Sequence, residues 1–118
     1  RQLKPFGFTD YNHLQLNAFC VVSDSGTLPE ESSFFHSFPA VCIRTSTERP
    51  EVLDKGTVVI GGITDKTVEQ ALELAVSMRD NNEEVVMAED YADTNVSVKV
   101  VKIIQSYTDI VNRTVWGK

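Results

Sequence analysis

The fold is decided by residues 19–35, FCVVSDSGTLPEESSFF. The apolar run Phe19–Ser23 is rich in β-branched residues and predicts a short strand. A polar turn containing Gly26 follows. Pro29 then stands where the first turn of a helix tolerates proline, so a helix is predicted over Leu28–Phe35. A strand, a glycine-bearing turn and a helix in direct succession indicate an α/β fold.

The rest of the chain repeats this alternation. Three further apolar runs predict strands: Ala40–Ile43, Thr57–Ile60 and, as a fourth strand, Leu3–Phe6. Helices are predicted over Asp10–Ala18, from a cap at Thr64-Asp65, and from about Asn95. Because the runs are apolar on both faces, they suit parallel strands covered by helices on both sides. The sequence therefore predicts an α/β fold in which a parallel sheet is flanked by helices.

Composition excludes several classes of protein. The 118 residues suffice for one domain, and 11 basic against 17 acidic residues give a net charge of −6. An acidic chain without a basic stripe argues against nucleic acid and anionic membranes as partners, and no apolar run is long enough to span a bilayer. Asp80–Asp93 is acidic and is predicted to be a solvated loop, with room for a short helical turn and without a chemical role. The first residue is Arg1 rather than Met, so we expect an excised domain fragment.

Neither the cysteines nor the histidines predict a reactive centre. Cys20 and Cys42 each fall in an apolar run, and two cysteines do not form a secreted disulfide framework, so reduced thiols in the cytoplasm are expected. His13 and His36 have no partners at zinc-ligand spacing. No metal and no cofactor are predicted.

The first candidate site follows the strand Phe19–Ser23, because parallel sheets bind ligands beyond the carboxyl ends of their strands. Gly26 would let a phosphate approach the backbone, and the hydroxyls of Ser25 and Thr27 would add donors at a helix amino end that favours anions. Glu31 lies more than one turn further on and could accept hydrogen bonds from a ribose diol. The same residues also fit a plain helix cap, with the acids on a solvated face.

The second candidate site is the segment Arg44–Glu51, again just past a predicted strand. Its two arginines could clamp a diphosphate through charge-assisted hydrogen bonds. The alternative is a surface loop in which the charges form local ion pairs of little energetic value.

An aromatic residue near the start of the chain is a third candidate. Tyr11 could stack on a base. Because Tyr11, Leu14 and Ala18 recur at helical spacing, Tyr11 also fits a core position on the buried face of the helix Asp10–Ala18.

Taken in order, these motifs resemble one family. PFGFxDY at residues 5–11, SDSGTxxEE at 23–31, FPA at 38–40 and RxxTERPE at 44–51 resemble the C-terminal domain of the non-hydrolysing UDP-N-acetylglucosamine 2-epimerases. The resemblance covers roughly residues 1–115 and implies the second half of a Rossmann-like, UDP-binding C-terminal domain of a glycosyltransferase-B type fold. By this resemblance, residues 1–118 lack the N-terminal domain of such an enzyme.

The resemblance implies substrate-binding roles for individual residues. Ser25 and Gly26 resemble the residues that bind the UDP diphosphate, Glu31 the acid that holds the ribose hydroxyls, and Arg49 the arginine directed at the phosphates. Thr27 replaces a glycine of the common pattern, and its hydroxyl could still reach phosphate.

Two aromatic residues are placed at the base by the same resemblance. Tyr11 falls where the family has an aromatic side chain next to uracil, and Phe6 falls where a backbone contact to the base is expected. The SGT and EESS variants are similar to the branch that acts on 2-acetamido-2,6-dideoxy sugars on the route to UDP-N-acetyl-L-fucosamine, so the exact sugar is left open.

The family reaction eliminates UDP to give a 2-acetamidoglycal and then re-adds it with inversion at C2. Its catalytic carboxylates and histidine lie in parts of the family outside this chain, so no catalytic residue is predicted here and the fragment alone is predicted to be inactive. The implied partners are a UDP-sugar substrate, the missing N-terminal domain and, at full length, a second copy in a homodimer. The implied setting is cytoplasmic synthesis of cell-envelope polysaccharide.

Two other functions remain open at this point. The first is a glycosyltransferase of the same architecture, in which an acidic residue after a glycine-bearing loop also grips ribose; the TERPE segment argues against it. The second is a nucleotide-sugar-binding module without chemistry.

Overall fold

The computed structural model describes residues 2–118 and contains one three-stranded parallel sheet in the order β1-β2-β3. In the register, Val22 lies beside Val41, and Cys42 lies beside Ile60. The strands are β1 (Val21–Ser23), β2 (Ala40–Cys42) and β3 (Val59–Ile60). The helices are α1 (Phe8–Leu16), α2 (Leu28–Phe35), α3 (Glu51–Asp54), α4 (Asp65–Asp80), α5 (Glu89–Ala92) and α6 (Val96–Thr114). The predicted fold class is confirmed.

Helices cover both faces of the central strand β2. On one face, Ala71 and Ala75 of α4 form a buried cluster with Val41. On the other face, Leu28 of α2 and Val52 of α3 belong to a second cluster that includes Ala40 and Cys42. Because neighbouring residues of β2 point to opposite faces and both faces are buried, the strand is apolar without alternation.

The predicted fourth strand is wrong. Residues 2–7 have no regular structure and are exposed. A strand needs a neighbour for its backbone N–H and C=O groups, and Pro5 has no N–H to offer a ladder. The helix that follows begins at Phe8, two residues earlier than predicted, after an N-cap at Gly7.

The junction between β3 and α4 is tightly packed. Thr64 caps α4, as predicted, by accepting a hydrogen bond from Thr67 N at 3.4 Å. Just before it, a Cβ added at the buried Gly61 would lie 3.0 Å from Val41 Cγ1 and 3.3 Å from Ala71 Cβ. Real Cβ atoms are rarely so close to their neighbours, so any larger residue at position 61 would force Val41 and Ala71 to shift.

We expect Gly61→Ala to lower the free energy of unfolding by about 1–3 kcal/mol, because an extra methyl group would overpack this interface. Chemical denaturation of the two proteins measures the loss. Gly7→Ala is the control, since the nearest atom to a Cβ added there is 4.0 Å away and a smaller loss is expected. Equal losses at the two positions would contradict the packing explanation.

The last helix, α6, carries an uncovered apolar face. All of its residues are exposed except the half-buried Asn112. The exposed side chains include Val100, Ile103, Ile104 and Tyr107. The radius of gyration is 18.4 Å, well above the roughly 13–14 Å expected for a compact chain of this length. The predicted helix is present, but its apolar face has no partner within residues 2–118.

None of the helices within residues 2–118 has the length and apolar character needed to cross a membrane.

Candidate functional site

Two loops meet at the carboxyl ends of β1 and β2. Ser23–Thr27 leaves β1, and Arg44–Pro50 leaves β2. Since the strands are parallel neighbours, both loops emerge at the same edge of the sheet. A Cβ added at Gly26 would lie 3.3 Å from Glu48 Oε1 and 3.6 Å from Arg49 Nη1. The structure therefore brings Gly26 next to both Glu48 and Arg49, with the tighter approach to the Glu48 carboxylate.

The first loop folds back onto the amino end of α2. Ser23 Oγ accepts a hydrogen bond from Ser25 N at 3.0 Å, and Ser25 Oγ accepts one from Thr27 N at 3.2 Å. The hydroxyls of Ser25 and Thr27 lie 2.9 Å apart and share a further hydrogen bond. The helix cap weighed for Ser25 is not formed, because the N-cap of α2 is Thr27 and no side chain caps the helix. Ser25 instead closes a local turn onto Thr27 N, and this turn holds both hydroxyls at the positively polarised end of α2, where an anion is favoured.

Arg49 is held by carboxylates from two elements. Its Nε donates to Glu30 Oε1 on α2 at 2.7 Å, and its Nη1 donates to Glu48 Oε1 at 2.7 Å. The hydrogen bond to Glu30 is the main cause of a raised pKa for the Arg49 guanidinium. Arg44 Nη1 also donates to Glu48, at 2.9 Å. Local ion pairs therefore exist in this loop, but the pair with Glu30 ties the loop to α2 and fixes the direction of Arg49.

Tyr91 of α5 supports the second loop and was missed by the sequence analysis. Its hydroxyl donates to Glu51 Oε1 at 2.6 Å. Burial, followed by the hydrogen bond to Glu51, raises the pKa of Tyr91 above its ordinary value. The prediction of a solvated loop over Asp80–Asp93 is wrong at Ala88, which is buried and whose N–H donates to Ser33 Oγ at 3.1 Å. The apolar run before Tyr91 was the signal that could have shown this. The short helical turn allowed for in this stretch is α5.

A second group of site residues joins α1 to α2. Gln15 Nε2 donates to Glu31 Oε2 at 2.6 Å and to Tyr11 Oη at 3.1 Å. Burial and the charge of Glu31 raise the pKa of Tyr11. The expectation that Leu14 shares a buried face with Tyr11 is wrong, because Leu14 is 50% exposed while Gln15 is 3% exposed. The structure thus brings Tyr11 and Glu31 together through a residue that the sequence analysis did not select.

The two groups are connected through α2, on which Glu30 and Glu31 are consecutive. Glu30 reaches Arg49, while Glu31 reaches Gln15. Phe6 takes no part in either hydrogen-bonded group and lies, 46% exposed, in the irregular segment before α1. Two cavities, of about 410 and 610 Å³, are lined by other residues and by none of the predicted site residues.

The chemistry of the site follows from its side chains. Hydroxyl donors, a glycine and an oriented guanidinium suit an anionic group with several oxygens. A carboxylate beside an aromatic ring suits a diol attached to a flat base. Within residues 2–118, no group of three or more His, Cys, Asp or Glu side chains is arranged to hold a metal ion. Cys20 and Cys42 are free thiols whose pKa is raised by burial, which disfavours the nucleophilic thiolate.

Comparison with known proteins gives consistent matches. The sequence model of the family described as UDP-N-acetylglucosamine 2-epimerase matches residues 1–105. A UDP-N-acetylglucosamine 2-epimerase of Methanococcus maripaludis is 32% identical over 71 residues, covering 60% of this chain and 19% of the relative. One from Methanocaldococcus jannaschii is 28% identical over 79 residues, covering 67% of this chain and 21% of the relative.

A solved structure extends the match to the whole chain. The UDP-N-acetylglucosamine 2-epimerase of Rickettsia bellii is 45% identical, with a TM-score of 0.82, and the alignment covers 100% of this chain and 32% of that protein. The chain therefore spans less than a third of the length of each of these relatives.

Proposed function

The chain belongs to the UDP-N-acetylglucosamine 2-epimerase family, and from this premise we propose that it is the UDP-binding portion of such an enzyme. The proposed reaction inverts C2 of UDP-N-acetylglucosamine or a related UDP-2-acetamido sugar by elimination and re-addition of UDP. The observation that carries the proposal is the convergence of Gly26 and Arg49 beside the linked pair Tyr11 and Glu31.

The loop after β1 and Arg49 are proposed to hold the diphosphate. The hydroxyls of Ser25 and Thr27 stand at the amino end of α2, and Gly26 lies beside the Arg49 guanidinium. A diphosphate arriving here would compete with Glu30 and Glu48 for Arg49, which keeps its third nitrogen, Nη2, free of partners within residues 2–118. Oriented donors of this kind stabilise the negative charge that grows on a departing UDP.

Glu31 and Tyr11 are proposed to hold the nucleoside. The Glu31 carboxylate can accept hydrogen bonds from the two ribose hydroxyls, and the half-buried ring of Tyr11 offers a face for uracil. The backbone of Phe6 is proposed to contact the base. With Ser25 at the diphosphate and Phe6 at the base, these roles would place the two parts of UDP at opposite ends of the site.

The catalytic groups are proposed to lie in the part of the epimerase that this chain does not span. We propose that residues 1–118 form the second half of a C-terminal domain and that an N-terminal domain completes the site. The uncovered apolar face of α6 supports this, because exposed apolar surface of that extent marks an interaction surface. Four features remain predictions from the resemblance: a homodimer at full length, a cytoplasmic location, a role in cell-envelope polysaccharide synthesis and the identity of the sugar in the substrate.

Calorimetric titration of the chain with UDP, UMP and uridine tests the proposal. We expect UDP to bind at least about tenfold more tightly than uridine, with UMP between them, because each added phosphate gains charge-assisted hydrogen bonds. Equal affinity for the three ligands, or no binding of UDP, would contradict a diphosphate site.

The same samples test whether the chain is inactive alone. Proton NMR of UDP-N-acetylglucosamine incubated with the chain should show an unchanged configuration at C2. Conversion at C2, in a preparation shown to be free of contaminating epimerase, would place catalytic groups within residues 1–118.

A further inference from the structure

We propose that Gln15 is a positioning residue that orients the Glu31 carboxylate for the ribose of the nucleoside. The inference rests on the proposed function and adds a residue to it. Gln15 is almost completely buried, so it acts through Glu31 rather than by touching the ligand. A single atom, Nε2, makes both hydrogen bonds and so fixes the two partners relative to one another.

The geometry favours Glu31 as the group that Gln15 orients. The amide donates to Oε2 of Glu31 at 2.6 Å, a short hydrogen bond between residues 16 positions apart on different helices. Oε1 of Glu31 receives nothing from Gln15. One carboxylate oxygen is thereby anchored against α1, while the other is left to accept from a ligand.

The remaining atom of the amide shows that packing alone does not explain Gln15. Its Oε1 is buried without a hydrogen-bond partner within residues 2–118. A buried, unpaired amide oxygen costs folding free energy. An apolar side chain of similar volume, such as methionine, would fill the same space without that cost. Local rules of this kind are broken most often at functional sites, so the amide is explained by what its Nε2 holds.

Gln15→Met tests the inference, because it keeps the volume and removes the donor. We expect the affinity for UDP and for uridine to fall by about fivefold, the loss typical of one hydrogen bond that organises a charged group. The affinity for 2′,3′-dideoxyuridine diphosphate should not change, because that ligand has no ribose diol for Glu31 to hold. The melting temperature should be unchanged or higher. Gln70→Met, on the exposed face of α4, is the matched control and should alter none of these values.

A double-mutant cycle separates positioning from a general loss of structure. In the Glu31→Ala background, Gln15→Met should cause no further loss of UDP affinity, because the group that it orients is gone. Gln15→Glu, which has nearly the same shape, should lower the affinity for UDP more than Gln15→Met does, because a second carboxylate would then face Glu31. This second variant keeps the test decisive if the methionine variant folds poorly.

The inference is overturned if Gln15→Met binds UDP as the wild type does, or if its affinity for the dideoxy ligand falls as much as its affinity for UDP. It is also overturned if the losses of UDP affinity in Gln15→Met and Glu31→Ala add in the double variant. In each case wild-type UDP binding leaves the proposed function intact. Failure of the wild-type chain to bind UDP is a different result, because it overturns the proposed function and this inference with it.

Discussion

Glu31→Ala is expected to lower the affinity of the chain for UDP by roughly ten- to a hundredfold, because it removes an ionised acceptor from the ribose hydroxyls. The carboxylate is held in place by the 2.6 Å hydrogen bond from Gln15, so the wild type binds with little of the ordering cost that a free surface glutamate would bear. The affinity for uridine should fall by the same factor as the affinity for UDP, because the lost contact is with the ribose that both ligands contain.

Two comparisons make this result specific. Glu73→Ala, at an exposed position of α4, is the charge-matched control and should leave UDP affinity unchanged. With 2′,3′-dideoxyuridine diphosphate, wild type and Glu31→Ala should bind equally. Unchanged UDP affinity in a folded Glu31→Ala protein would return this residue to the solvated helix face that its sequence pattern also fits.

Arg49→Lys is expected to weaken UDP binding by at least about tenfold, because a lysine ammonium lacks the planar fork that makes parallel hydrogen bonds to phosphate oxygens. The structure adds a second reason. Arg49 satisfies Glu30 through Nε and Glu48 through Nη1, both at 2.7 Å, and still has Nη2 to offer. One ammonium group cannot keep both carboxylates and also meet a diphosphate with the same geometry.

The ligand series distinguishes Arg49 from Glu31. For Arg49→Lys the loss of affinity should be large with UDP and absent with uridine, whereas an effect on the ribose is equal for the two ligands. Arg113→Lys on the exposed α6 is the control. An equal loss with uridine would show that the substitution disturbs the fold of the loop rather than a phosphate contact.

Local patterns in the sequence predicted those helices and strands that a short stretch of residues specifies without the rest of the chain. Pro29 in a first turn, the cap at Thr64 and the unbroken apolar run at Ala40–Cys42 each correspond to an observed helix or strand. The meeting of Gly26 with Arg49 was also predictable, because neighbouring parallel strands bring their carboxyl-end loops to one edge.

The pattern of α1 was misleading for a physical reason. Leu14 shared its helical spacing with Tyr11 and Ala18 and so indicated a buried face, yet Leu14 is exposed, and the polar Gln15 is buried instead. We interpret this as a pattern matched to a larger protein, in which surfaces that are exposed here are covered. The exposed apolar face of α6 fits the same interpretation.

Tyr91 could not be assigned from local signals because its role depends on a contact 40 residues away. It lies in an acidic stretch typical of solvated loops, and only the folded chain brings its hydroxyl to Glu51. Hydrogen bonds between distant side chains are set by tertiary packing, which periodicity does not encode.

The most direct test of a UDP site in this chain is a titration with UDP followed by amide nitrogen–proton NMR. The account predicts that the largest shift changes fall on the amides of Ser25, Gly26, Glu31 and Arg49, while the exposed residues of α4 stay unchanged. Shift changes confined to α4, or a titration in which the amides of Ser25 and Gly26 do not respond, would contradict it.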